Sequence, residues 1–533
     1  MLRAGLAIRG GELALLGGIT LLSLLLRVHY LSDIPRYTDE IDEILPAIDI
    51  VQGRALPLVS GPKHIGAFFD YVLAGAMVVF GRSPELPRAV VLVAGTATVL
   101  LTYGYARALG GPPAGLLAAA FLAVSAPHVL LSSRVAWSAS LTPLFLTGAA
   151  WALDHAVRRR QPRHVLATGL LCGLALQSHP SVGALLPGFG MFVLLRGRWL
   201  LRQPAFWAAG LLFVAGFANV LIYNWQSGLG AARSVSRQYP HEAIGLGAYP
   251  ANLTALLDGL ALTLASAVDP TRDPSPLEPP ILLATVVCLA SLVQLARRGS
   301  PLPLLVTLSA ALTMPLGHEV YAPLLGARYL MPLVPLAYVG VGVLGADLLA
   351  STDSTTRADT LRRIAVGAAA AAWLSGMLVW LLRFESIVEA SGCSNAPQRA
   401  FVGELERQRA PGEWVLLDPG AVRPAERFGY LSLLKLSGQR VAETSFGRGG
   451  IWRELAERPA FLTFVDDGRV PDVFERQGLP LVGPAAAIEP AQSLTSQDRA
   501  GRRGGIGLYR VDASGPTLLA YHTQPGCGEL VLN

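Results

Sequence analysis

The chain has 533 residues, 52% hydrophobic and only 15% charged, with a mean hydropathy of +0.45. Soluble globular domains carry about 25% charged residues, so this composition excludes an ordinary soluble fold and points to a chain living largely in lipid. The net charge of +6 is carried almost wholly by arginine, with lysine only at Lys63 and Lys435, and the arginines lie in short clusters between apolar runs; that excludes the continuous basic stripe of a nucleic-acid partner.

In chain order, apolar segments of bilayer-spanning length are expected at about 12–31, 86–107, 113–131, 138–157, 164–178, 180–196, 205–223, 280–296, 301–317, 329–349 and 363–383. The first is too long, and wrongly flanked, for a cleaved signal peptide, so it reads as an anchor. With eleven spans the basic clusters share one face: Arg3 and Arg9; Arg107; Arg158, Arg159, Arg160 and Arg163; Arg196, Arg198 and Arg202; Arg297 and Arg298; Arg357, Arg362 and Arg363. The positive-inside rule makes that face cytoplasmic, with the N-terminus inside and the C-terminus outside the plasma membrane. The apolar run Ile65 to Phe80 tests the scheme. Counted as a crossing, it would throw every later cluster outside, so it reads as interfacial or re-entrant within one external loop of about 32–85. A second external loop, about 224–279, includes an expected surface helix around Leu253 to Val268.

Beyond Phe384 the pattern changes. Short β-like runs (EWVLLD, AFLTFVDD, IGLYRVD) alternate with helix-like runs (AERFGYLSLLKL, IWRELAERP, PDVFERQG), as in a small α/β domain. The expected architecture is an α-helical polytopic membrane protein of about eleven transmembrane helices, residues 1–383, bearing a soluble extracytoplasmic α/β domain, residues 384–533. Cys393 and Cys527 bracket that domain and form a candidate disulfide; Cys172 and Cys288 fall in spans as packing residues.

One stretch is out of character with its surroundings. RYTDEIDEILPAIDIV, residues 36–51, sets four acids, Asp39, Glu40, Asp42 and Glu43, just beyond the first span. Over 39–48 a helix places Asp39, Asp42 and Glu43 on one face and Ile41, Ile44, Leu45 and Ile48 on the other, with Thr38 as N-cap. The plain reading is a membrane-surface helix whose first-turn acids suit the helix dipole. Two chemical readings stand beside it: the four carboxylates as oxygen ligands of a divalent cation, or one of them as a general base. Cations and polar groups fall on the same external side: Lys63 and His64 in GPKHIG, Arg134 in SSRVAW, His179 in QSHPS, and His318, Glu319, Arg328 and Tyr329 in HEVYAPLLGARYLMP. Each alone reads equally well as a span-end anchor; several on one side point to a polar site.

The ordered set of an external DE, then KHIGAFFDYVLA, LPRAVVLVAGTATVLLTYGYAR, SAPHVLLSSRVAW and ARYLMPLVP resembles the membrane-integral C-type glycosyltransferases (GT-C). The likeness is to the group that includes protein O-mannosyltransferases and aminoarabinose transferases. The resemblance covers about residues 12–350. It implies a polyprenyl-phosphate-linked monosaccharide donor, a glycan, lipid or protein acceptor reached from outside, and inversion at the sugar carbon. It also implies Asp39 as the base, with Glu40 positioning it or sharing a metal, Lys63 and His64 near the donor, and Arg134 and Arg328 on the lipid phosphate. The chain departs from the group in reading HIG where PPL is frequent, and its C-terminal domain matches no nameable module. Two other classes fit a many-span chain with few charges: a transporter, and a non-catalytic lipid- or glycan-binding protein. A transporter tends to hold its charges near the midplane and to repeat its halves; here they gather at span ends, and no repeat is seen.

Overall fold

The computed structural model describes residues 10–32, 38–238, 245–269, 274–317, 326–350, 357–390, 396–410, 413–417, 424–439, 441–443, 460–466, 505–512 and 515–523. The chain is a multi-pass, mostly helical membrane protein. Its helices are α1 (Gly10–Val28), α2 (Thr38–Val51), α3 (Phe68–Phe80), α4 (Leu86–Val124), α5 (Ala126–Leu131), α6 (Thr142–Arg158), α7 (Val165–Ser178), α8 (Leu186–Arg196), α9 (Pro204–Gly216) and α10 (Ala218–Gln226). They continue as α11 (Gly230–Gln238), α12 (Tyr249–Ala265), α13 (Pro279–Arg297), α14 (Leu302–Thr313), α15 (Ala327–Leu330), α16 (Leu333–Ala350), α17 (Arg357–Ala390), α18 (Ala396–Gln408) and α19 (Pro424–Leu436).

Each of the eleven segments expected to span overlaps a helix. By length and apolarity alone, five helices among the described residues suffice to cross a bilayer, or six if the pair α9 and α10, bent by 58°, counts as one. α4 is more than one crossing's worth of chain. At Gly111 the backbone takes φ 81°, open to glycine, and Pro112 and Pro113 follow, which cannot continue the hydrogen-bond ladder. The helix reverses there: a Cβ on Gly115 would stand 2.8 Å from the Tyr103 ring, twelve residues back, which a straight helix would hold about 18 Å away. The residues expected as two spans are therefore the limbs of a hairpin. α16, buried along most of its length, packs on α4, with Gly342 against Ala114 and Ala118 of the second limb, and α1 lies on the outside of α4 with its leucines turned outward.

One expectation is corrected. α2 is no surface helix. Ile41, Ile44, Ala47 and Ile48 are buried, but so are Glu40 and Glu43, because both carboxylates have found donors on neighbouring segments. Where a surface helix was expected, α12 forms; its residues 259–265 are buried and pack toward α13 and the α15 turn, while Thr254, Leu257 and Asp258 are exposed.

Among the described residues of the C-terminal region, five strands form one sheet: β1 (Trp414–Leu417), β2 (Val441–Glu443), β3 (Ala460–Asp466), β4 (Gly505–Asp512) and β5 (Gly515–Thr523), in the order β2-β1-β3-β4-β5. β1 is parallel to both neighbours, with Val415 opposite Val441 and Leu462; β3, β4 and β5 are antiparallel. Arg510 pairs with Glu413 at 2.9 Å and donates to the Gln408 carbonyl at 2.6 Å, tying β4 to the end of α18. α19 packs on α2, and Arg399 of α18 pairs with Glu85 at 3.2 Å. The pair Cys393 and Cys527 lies outside the described residues; Cys172 and Cys288 are buried and free.

Candidate active site

Everything at the site depends on how α2 spends its acids. Glu40 is fully buried and takes both arms of Arg88, Nε to Oε1 at 3.0 Å and Nη2 to Oε2 at 2.9 Å; its Oε1 also accepts from the Ala136 backbone N–H at 3.0 Å. Glu43 accepts from Ser138 twice, from the backbone N–H at 2.8 Å and from Oγ at 3.0 Å. Together the two acids clamp the stretch between α5 and α6 onto α2. A guanidinium and a carboxylate out of water are tolerable only in such geometry, and breaking one partner costs about 3–5 kcal/mol.

Asp42 points the other way, with its side chain exposed. Its carbonyl accepts from the Gly61 N–H at 3.1 Å and from Ser60 Oγ at 3.3 Å. Gly61 is required for this approach, since a Cβ there would stand 2.5 Å from the Asp42 oxygen. Beneath the turn, Ser60 Oγ lies 2.9 Å from Oδ1 of the buried Asp70. Burial pushes the Asp70 carboxyl well above the usual carboxylate range, with the Ser60 hydrogen bond opposing.

These elements enclose a cavity of about 180 Å³ lined by Asp42, Glu43, Gly61, Pro62, His64, Ile65, Trp137, Ser138, Ala139, His179 and Arg328. Arg328 from α15 stands with its Cζ 4.7 Å over the Trp137 ring and 5.1 Å over the Tyr329 ring, and donates to the Tyr329 hydroxyl at 3.1 Å. Two aromatic faces hold the guanidinium by cation–π attraction and fix its plane. The His179 ring meets Tyr329 edge-on at 5.0 Å, and its Nδ1 accepts from the Ser181 N–H at 3.2 Å. The neutral ring therefore carries its proton on Nε2. His64 lies 3.5 Å from Ser234 Oγ of α11.

Of the residues expected at a site, His64, His179, Arg328, Asp42 and Glu43 thus line one cavity, with Tyr329 against it. Lys63 is exposed and outside the lining. Arg134 is buried elsewhere: it pairs with Glu385 of α17 and donates to the carbonyls of His29 and, at 3.3 Å, Arg27, so it ties α17 to the end of α1 instead of facing the cavity. Asp39 occupies the first turn of α2, and its side chain, with His318 and Glu319, lies outside the described residues. The metal reading does not fit Glu40 and Glu43, whose oxygens are given to Arg88, Ala136 and Ser138, and among the described residues no three His, Cys, Asp or Glu side chains group to hold an ion. Arg88, Trp137 and Ser138 were not singled out from sequence. Arg88 carried a usable signal, since an arginine opening a long apolar run needs an anion nearby.

A family model described as Dolichyl-phosphate-mannose-protein mannosyltransferase matches residues 65–223, from the approach to α3 into α10. No curated protein matches the sequence. Among solved structures, ArnT from Cupriavidus metallidurans bound to undecaprenyl phosphate is similar at a TM-score of 0.59 and 10% identity, covering 90% of this chain and 97% of that one. At that identity the likeness is one of fold. Apo ArnT is similar at a TM-score of 0.56 and 11% identity, covering 88% of this chain and 94% of its own. The Archaeoglobus fulgidus oligosaccharyltransferase tethered to an acceptor peptide containing the NVT sequon gives 0.50 and 13%, over 98% of this chain and 75% of that one. The family match leaves out α2 and Arg328, so the acids and the stacked cation of the cavity stand on their own geometry.

Proposed function

We propose that the chain is a glycosyltransferase that moves a monosaccharide from a polyprenyl-phosphate donor to a hydroxyl acceptor at the outer face of the plasma membrane, with inversion. One observation carries the reading: the cavity joins an acid-bearing helix start to a stacked arginine, in a membrane fold shared with a structure solved with undecaprenyl phosphate bound. The donor's prenyl chain lies among the helices and its phosphate meets Arg328, whose planar fork suits two phosphate oxygens. Asp39 takes the acceptor proton as the hydroxyl attacks the anomeric carbon; Asp42, one turn on, orients the acceptor. The sugar–phosphate bond breaks as the new glycosidic bond forms, and the phosphate leaves as an anion stabilised by Arg328. Such a leaving group needs little protonation, so one carboxylate suffices where glycosidases use two.

The test is transfer from a polyprenyl-phosphate sugar by protein in liposomes, beside donor binding. Asp39→Asn keeps size and capping ability and removes only the charge and the basicity. It should fold and bind donor, yet lose about 10²-fold or more in turnover. Near-normal transfer by Asp39→Asn with a dead Asp42→Asn moves the base to Asp42. Near-normal transfer by both ends the mechanism and favours a non-catalytic lipid- or glycan-binding role.

A further inference from the structure

The far end of α6 carries a second polar cavity that the sugar-transfer reading does not use. It measures about 240 Å³ and is lined by Leu109, Arg158, Leu295, Arg298 and Ser300. α6 has 17 residues, so the two cavities stand about 25 Å apart along it, close to the thickness of a hydrocarbon core. We propose that this cavity binds the phosphate headgroup of an anionic glycerophospholipid from the opposite leaflet.

The arginines have donors to spare. Arg158 touches Asp154 and Ser300 only through Nη1, at 3.5 and 3.4 Å, while Ser300 Oγ serves Asp154 more closely at 2.9 Å. Arg298 reaches Asp347 through Nη2 at 2.5 Å, and Gln294 holds that carboxylate's other oxygen at 2.8 Å. The two side chains remain 41% and 45% exposed, and a guanidinium has five N–H groups. A third cation stands at the rim, where Arg196 Nη2 comes within 3.0 Å of where a Gly299 Cβ would lie. The remaining walls are Leu109 and Leu295. Cations facing leucines match a phosphodiester continuing into glycerol and acyl chain, and basic pockets between membrane helices take such headgroups. Phosphate alone has the same chemistry but no use for the leucines.

The experiment titrates full-length protein in detergent with phosphatidylglycerol, phosphatidylcholine or inorganic phosphate, read by native mass spectrometry. Phosphatidylglycerol should bind about ten-fold or more tightly than phosphatidylcholine. The double variant Arg158→Gln, Arg298→Gln should lose at least that preference, each charge-assisted contact being worth about ten-fold. Leu109→Trp, which fills the cavity and keeps both cations, should also lose it, so misfolding of the double variant cannot mimic the result. Phosphatidylglycerol binding unchanged in both variants, or no preference over phosphatidylcholine, overturns the site. Inorganic phosphate binding as well as the lipid overturns the lipid assignment.

Discussion

The two ends of α6 are polar in opposite ways. At its start, acids from α2 meet a single arginine stacked on two rings, and Glu40 and Glu43 are spent holding the walls. At its end, exposed arginines share aspartates through one arm each and keep the rest. The first arrangement fixes its charged groups through their partners, as the proposed transfer chemistry requires, because a misplaced group loses rate steeply. The second is open and tolerant, as suits holding a headgroup. Buried ionisable groups are costly and so are fixed by their partners; half-exposed ones stay available.

The sharpest way to break this contrast is at the end with the buried acids. Glu40→Gln leaves Arg88 buried without its anion and should cost about 3–5 kcal/mol, read as a lower unfolding midpoint in detergent, whereas Arg158→Gln should shift it by less than about 1 kcal/mol. Equal costs would mean the two ends are not built differently. Next in size, Asp39→Asn should lose about 10²-fold in transfer while Arg298→Gln leaves transfer near normal. Loss of turnover in both would tie the far cavity to the reaction.

Arg328→Gln should weaken donor binding about ten-fold, and Arg328→Lys should not restore it, since an ammonium does not stack flat between Trp137 and Tyr329 or grip two oxygens. Full rescue by lysine would reduce Arg328 to a point charge. The smallest effect concerns Asp70. Its carboxyl is raised in the folded state, so its contribution is present below the unfolded value near 3.8 and is lost as pH rises through the folded value. Asp70→Asn should therefore flatten the fall in stability as pH rises above about 3.8; an unchanged profile would show that the buried carboxyl does not titrate there.

Much of this was readable along the chain. The apolar runs, the Gly-Pro-Pro break, the three runs that form β1, β3 and β4, and the helix at α19 follow from periodicity and from residues with narrow backbone preferences. So does the gathering of Arg158, Arg196 and Arg298 at one end, because charge cannot stay in lipid.

What periodicity could not reach was which charges find each other. Asp39, Glu40, Asp42 and Glu43 are equivalent in the sequence as neighbouring acids, and only the packing of α2 against α4 and the 135–138 stretch gives Glu40 to Arg88, Glu43 to Ser138 and Asp42 to the cavity. Arg134 and Arg328 likewise both read as cations at span ends; Glu385, 251 residues away from Arg134, removes one from the site, while Trp137 and Tyr329 hold the other in it. Burial and hydrophobic period are local quantities that a one-dimensional pattern carries. A charge's role depends on its nearest opposite charge, and in a folded bundle that neighbour comes from a distant part of the chain.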